Sequence, residues 1–148
     1  MAKRNIRPIA ICVIRREGRV LVFEGHDSVK GDHFYRPLGG TIEFGEPSEA
    51  AVRRELMEEI GAELANLHLL GTLENIFTLN GAPTHEIVFV YEAGLADPSA
   101  YDGGPIHGSE DDGSPIEAVW KPVEDFRERG ARLVPDGLLP MLQPDRTA

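Results

Sequence analysis

Apolar residues along this chain fall mostly into short alternating or clustered runs, a pattern that predicts strands more often than helices. Ile6 to Ile14 and Arg19 to Phe23 are two β-rich apolar runs, and Arg15-Arg16-Glu17-Gly18 between them predicts a hairpin. Gly25 to Asp32 is polar and glycine-flanked and reads as a loop, followed by short strands at Phe34 to Leu38 and Thr41 to Phe44 on either side of a glycine pair. Leu64 to Leu79 predicts one bent strand or two, Asn80-Gly81 a tight hairpin turn, and Glu86 to Leu95 a buried strand. His85 and Glu86 open that last strand and could face a site.

The period changes between Ser48 and Ile60, where neither glycine nor proline occurs and strong helix formers dominate. Pro47 and Ser48 suit a first turn, Glu46 and Glu49 complement the helix dipole, and Gly61 supplies a stop. A helix is therefore expected from Ser48 to Glu59. Residues 97 to 115 are rich in Asp, Gly, Pro and Ser and predict a long surface loop. Ile116 to Pro122 reads as a strand containing Trp120, Val123 to Glu128 as a helix, and Gly137 to Leu142 as a last short helix bracketed by Pro135 and Pro140. Strands interleaved with helices suggest an α/β architecture.

Composition narrows the class further. The length of 148 residues favours one domain spanning residues 1–148, and 41% hydrophobic with 27% charged residues is the composition of a soluble globular protein. No apolar run approaches the roughly 20 residues of a membrane span, and Arg15 and Arg16 interrupt the first apolar run too early for a signal peptide. A cytoplasmic protein without membrane contact is the expectation. Cys12, the single cysteine, lies in a strand-like run and reads as a buried structural thiol. The net charge of -10 argues against general binding to nucleic-acid backbones.

Chemistry concentrates on the expected helix. At about 100° per residue, Val52, Leu56 and Ile60 share one stripe while Glu55, Glu58 and Glu59 cover an adjoining arc. Like charges at these spacings destabilise a bare helix by roughly 0.2–0.5 kcal/mol per pair, so a cation is needed beside them. Arg53 and Arg54 neutralise only part of the cluster, and Mg²⁺ or Mn²⁺ are hard cations suited to carboxylate oxygens. A solvated surface helix is the ordinary explanation of such a Glu-rich run. The surroundings favour the other: Gly40, Glu46, Arg54, Glu55, Leu56, Glu58, Glu59, Gly61 and Ala62 fit Gly-x5-Glu-x7-Arg-Glu-U-x-Glu-Glu-x-Gly-U, with U apolar, at every fixed position.

This segment resembles the signature of the Nudix hydrolases. The resemblance implies an α/β/α sandwich around a mixed sheet and hydrolysis of a nucleoside diphosphate linked to a moiety X, or of a nucleotide, with divalent metal. It implies Glu55 and Glu59 as principal metal ligands, Glu58 as a further ligand or the base, and the Gly39 carbonyl as a main-chain ligand. Arg54 would orient the carboxylates, with Glu46 and, less firmly, Glu43 supporting them. Family members often recruit a further carboxylate downstream, for which Glu110, Asp111 and Asp112 are candidates. One departure stands out: Leu38 separates Pro37 from the glycine pair, where the family commonly has the proline adjacent. Arg36 could reach a substrate phosphate, while Phe34, Tyr35 and Phe77, alongside Phe89, offer aromatic walls for a base. Family sub-signatures do not select the substrate, since Phe77 and Thr78 lie where the proline of ADP-ribose hydrolases is looked for. Besides the leading reading, a (d)NTP-sanitising or dinucleoside polyphosphate hydrolase and a non-catalytic nucleotide-sensing module remain open. A homodimer is compatible with the family and has no sequence marker here.

Overall fold

The computed structural model describes residues 4–102, 104–110 and 112–142. Its centre is a mixed sheet built on β1 (Ile6–Arg16), which pairs in parallel with β6 (Ala82–Leu95) and antiparallel with β4 (Leu38–Thr41) and β2 (Arg19–Asp27). Beyond β6 lies β5 (Leu64–Leu79), while β2 is flanked by β3 (Asp32–Arg36) and β8 (Pro115–Pro122), and β7 (Ile106–Ser109) closes that side. Only a few helices cover this sheet: α1 (Ser48–Ile60), α2 (Val123–Glu128) and α3 (Leu138–Met141).

The alternation of β1 sets the layers, because successive strand side chains point to opposite faces. Ala10, Cys12 and Ile14 pack with Ala51, Val52 and Leu56 of α1. Ile9, Ile11 and Val13 pack on the other face with Val123 and Phe126 of α2, Leu138 of α3 and Leu142. The sheet is thus sandwiched between α1 and the C-terminal helices, and Leu56, fully buried, is worth about 2–5 kcal/mol against alanine. Cys12 is buried as expected, and burial pushes its thiol up to about 12.

Several boundaries differ from expectation for identifiable reasons. Gly25 to Asp32 is a hairpin rather than a loop: pairing runs from Phe23↔Arg36 to Asp27↔Asp32, and the Asp27 carboxylate accepts the N–H groups of Val29 and Lys30 to hold the turn. The glycine pair lies inside a strand, and the residues after Thr41 form no strand. Gly39 has φ +150°, and a side chain there would overlap the Ala10 carbonyl of β1, so close strand approach rather than turning requires the glycine. Leu64 to Leu79 forms one strand with two register shifts, and β6 begins at Ala82, directly after an Asn80-Gly81 turn with both φ positive. Inside the expected loop at 97–115 stand a 3-10 turn, Pro98–Tyr101, and β7. Gly108 of β7 lies against the Glu59 carbonyl, where any Cβ would collide, so this glycine-rich stretch covers the end of α1.

Candidate active site

The start of α1 has no side-chain N-cap, and Ser48 Oγ instead hydrogen-bonds Tyr91 Oη at 2.6 Å. One turn further, Arg54 gathers the acidic groups. Its Nε and Nη2 donate to the two oxygens of Glu46 at 2.8 and 2.9 Å, its Nη1 to Glu55 at 3.0 Å and Glu58 at 3.2 Å, and Nη2 also to the Thr41 carbonyl at 3.0 Å. A planar guanidinium with five N–H groups can do this, while an ammonium cannot match the fork. Arg54 holds the Glu46 carboxyl down at about 2, helped by the Glu43 N–H, and is itself held charged by Glu46. The Glu43 carboxylate is 4.0 Å from Arg54 and mostly exposed.

Glu55 and Glu59 are buried at 3% and 5% exposure, facing the glycine pair. Glu59 Oε1 accepts the Gly39 N–H at 3.1 Å, while the Gly39 carbonyl accepts Arg36 Nη2 at 3.3 Å. At Gly40 a Cβ would stand 2.5 Å from the Glu55 carboxyl carbon, so this glycine leaves the space that the carboxylate occupies. Burial pushes the Glu59 carboxyl up to about 8, with Arg36 opposing and Glu55 and Glu110 adding repulsion. Such a group gains most from a nearby cation.

Among the described residues no three His, Cys, Asp or Glu side chains converge as a ready-made metal site. The donors nevertheless suit a hard divalent ion: two buried carboxylates, a third on the same helix, and a backbone carbonyl beside a glycine. Glu55 and Glu58 are turned onto Arg54, which answers part of the like-charge repulsion anticipated for this helix.

Beside the glycine pair opens a cleft of about 820 Å³ between the β5–β6–β1 part of the sheet and the β2–β3 hairpin. Phe34, Tyr35 and Phe77 line it with Phe23, Arg36 and Glu110. Arg36 lies over the Phe23 ring at 5.2 Å, and its Nε is buried without a partner. Phe34 sits where a side chain at position 25 would be, so Gly25 makes room for that wall. Tyr35 donates its hydroxyl to Glu24 at 3.1 Å and carries Lys121 over its ring at 4.5 Å. Of the acidic loop, Glu110 reaches the cleft and the field of Glu59, whereas the Asp112 carboxylate accepts the N–H and hydroxyl of Ser114 in its own turn. Asp111 lies outside the described residues. Sequence reasoning did not single out Gly108, Arg7 or Asn75; polar residues at alternate positions of otherwise apolar strands were the signal for the last two.

Fold and site define an α/β protein whose carboxylate helix faces a glycine pair, with Arg36 joining that pair to an aromatic cleft. The family model of the NUDIX domain matches residues 4–142, and the chain belongs to the Nudix family. A MutT NUDIX hydrolase from Burkholderia pseudomallei has a similar structure at 26% identity, covering 82% of this chain and 86% of that one with a TM-score of 0.60. A NUDIX hydrolase from Nitrosomonas europaea shares the fold at 18% identity, with coverage of 93% and 86% and a TM-score of 0.63. In sequence, the NAD-capped RNA hydrolase NudC of Pasteurella multocida (strain Pm70) is 39% identical over 67 residues, which are 45% of this chain and 25% of that protein. This chain thus aligns with about a quarter of that relative's length. No helix among the described residues is long and apolar enough to cross a membrane.

Proposed function

We propose that the protein is a Mg²⁺- or Mn²⁺-dependent pyrophosphohydrolase that cleaves the phosphoanhydride of a nucleoside diphosphate linked to a moiety X, or of a nucleotide. The observation that carries this reading is the pairing of buried Glu55 and Glu59 with the glycine pair, within reach of a cleft large enough for a nucleotide. A divalent ion bound there would supply Lewis-acid neutralisation of phosphate charge and a lowered pKa for water.

The chain's own groups do the rest. Glu55, Glu59 and the Gly39 carbonyl would hold the cation, and Glu58, the most exposed of the three helix carboxylates, takes the proton of the attacking water. Arg54 keeps Glu55 and Glu58 in place, and Glu46, with Glu43 behind it, keeps Arg54 in place. Arg36 faces the phosphates from the cleft wall, and Glu110, which lines the same cleft, serves as an extra metal ligand or base. The rings of Phe34, Tyr35 and Phe77 contact the base. The protein works as one domain in this reading, on a small nucleotide derivative. The name of the NudC relative adds a dinucleotide joined to RNA as a substrate to be tested.

The test is a panel of about thirty nucleotide derivatives, NADH and NAD-capped RNA among them, with Mg²⁺ or Mn²⁺, following release of phosphate and nucleoside monophosphate. Metal-dependent release from at least one compound, abolished by chelation, supports the reading. Metal-independent binding without product would replace it with a nucleotide-sensing module.

A further inference from the structure

At the end of the cleft away from α1, one polar row crosses three adjacent strands. Glu86 of β6 is registered with Arg7 of β1 on one side and Asn75 of β5 on the other, and all three line the cleft. Glu86 is only 5% exposed, yet its partner among the described residues is Arg7 at 3.8 Å, beyond hydrogen-bond distance. Arg7 is itself half exposed. No hydrogen bond from the described residues occupies the Glu86 carboxylate where it lines the cleft, so its acceptor oxygens are available to donors on a molecule entering there.

We infer that this row reads the base edge of the substrate and selects guanine. The inference rests on the cleft being the place of a nucleotide's base, as proposed above. Ionised carboxylate oxygens only accept, an arginine only donates, and an asparagine amide does either. The row therefore offers, in order, an adaptable amide at Asn75, an acceptor at Glu86 and a donor at Arg7. Guanine presents the complement along its pairing edge: the 2-amino group, the adjacent N1–H, then the O6 carbonyl. Adenine would set the N1 lone pair against the carboxylate. Cytosine likewise places a lone pair there, and uracil offers a single N–H between two carbonyls.

The spacing agrees. Along β1, Arg7 is four residues from Ile11, about 13 Å of strand, and Ile11 is registered with Gly39 at the carboxylate helix. One nucleoside bridges such a span from base edge to phosphate. Phe77, two positions along β5 from Asn75 on the same face, and Phe34 across the cleft provide the stacking surfaces.

The experiment compares guanosine, inosine and adenosine compounds on the wild type, Glu86→Gln and Asn75→Ala. Hydrolysis of the 5′-triphosphates gives kcat/KM, and calorimetry with the 5′-diphosphates gives affinity. The expected preference for guanosine over adenosine is about 100-fold, with inosine, lacking the 2-amino group, about tenfold below guanosine. Glu86→Gln brings the guanosine-to-adenosine ratio to within about fivefold, and Asn75→Ala lowers guanosine while sparing inosine. Thermal melts establish that each variant is folded, and the wild-type ratios decide the matter even if a variant is not. Equal guanosine and adenosine values, a preference for adenosine, or an unchanged ratio in folded Glu86→Gln would overturn the inference. If no triphosphate is hydrolysed, the proposed function rests on the nucleoside diphosphate derivatives of the panel, and the affinities still test the guanine selection by themselves.

Discussion

The carboxylate helix and the aromatic cleft are neighbours built on opposite terms. Around α1 every polar side chain of the helix is engaged: Arg54 contacts three carboxylates and a carbonyl, Glu59 takes the Gly39 N–H, and Gly39 and Gly108 lie against backbone that leaves no room for even a methyl group. In the cleft two polar groups are under-used, Arg36 Nε being unpartnered and Glu86 lacking a hydrogen bond among the described residues. Under the proposed function the difference assigns each task a place. Chemistry on phosphorus needs donors fixed before the substrate arrives. Selection needs groups whose bonding is completed only by the right substrate. A substitution near α1 should therefore strike turnover or folding, and one in the cleft should strike substrate affinity.

The sharpest way to break this contrast is Glu58→Gln. If Glu58 is the proposed general base, its removal lowers kcat by about 10²–10⁴-fold, and because Glu58 is about half exposed the melting temperature should hardly move. Unchanged turnover in a steady-state assay would transfer the proton to another group. The next test uses pH without metal. The folded-state pKa of Glu59 is raised from 4.5 to about 8, so the native protein binds more protons than the unfolded chain within that window. In chelator, stability should be full below about pH 4.5 and fall as pH rises toward 8, a decline read by urea titrations at several pH values and absent from Glu59→Gln. Added Mg²⁺ should reverse the decline. Glu46 acts at the acid end with opposite sign, since its lowered pKa gives stability that is lost only as pH falls from 4.5 toward about 2.

Gly39→Ala probes the steric half of the same region. With φ at +150° and the Ala10 carbonyl in the way, the substitution should cost about 3 kcal/mol in denaturant unfolding. Gly40→Ala meets only the movable end of the Glu55 side chain and should keep the fold while losing activity. Similar stabilities for the two variants would show that close strand approach does not constrain Gly39.

The two regions were also unequally legible in the sequence. The helix and its glycine stop follow from local preferences, and Arg54, Glu55, Glu58 and Glu59 lie within six consecutive residues, so spacing alone puts them together. The glycine pair could be seen but not its setting: a turn and a strand approached closely by another backbone both call for glycine, and only the pairing with β1 distinguishes them. The cleft draws Arg7, Phe34, Phe77, Glu86 and Glu110 from separate strands and a loop, and no local pattern encodes that convergence. The Gly25 to Asp32 hairpin was hidden for a related reason. Its outward positions are polar, and Asp27, which organises the turn, is satisfied partly by the Asn80 N–H from another hairpin.

The smallest effect expected is also the one that tests the cleft most directly. Phe77 is partly exposed on β5, an outer strand of the sheet, so its removal leaves no enclosed cavity and should cost little stability. Its ring can only stack or pack, and stacking on a base is worth about 1–3 kcal/mol, so Phe77→Ala should raise KM about tenfold. Stacking is present alike in ground and transition states, and such uniform binding alters KM without altering kcat. Phe44 provides the control: it stands fully exposed between β4 and α1, close to the carboxylates yet outside the cleft. Phe44→Ala should leave both constants within about twofold of the wild type, because proximity to the carboxylate helix confers no contact with the base. If instead Phe44→Ala raised KM and Phe77→Ala did not, the base would lie over the loop before α1, and the division between fixed chemistry and open selection would have to be redrawn around that loop.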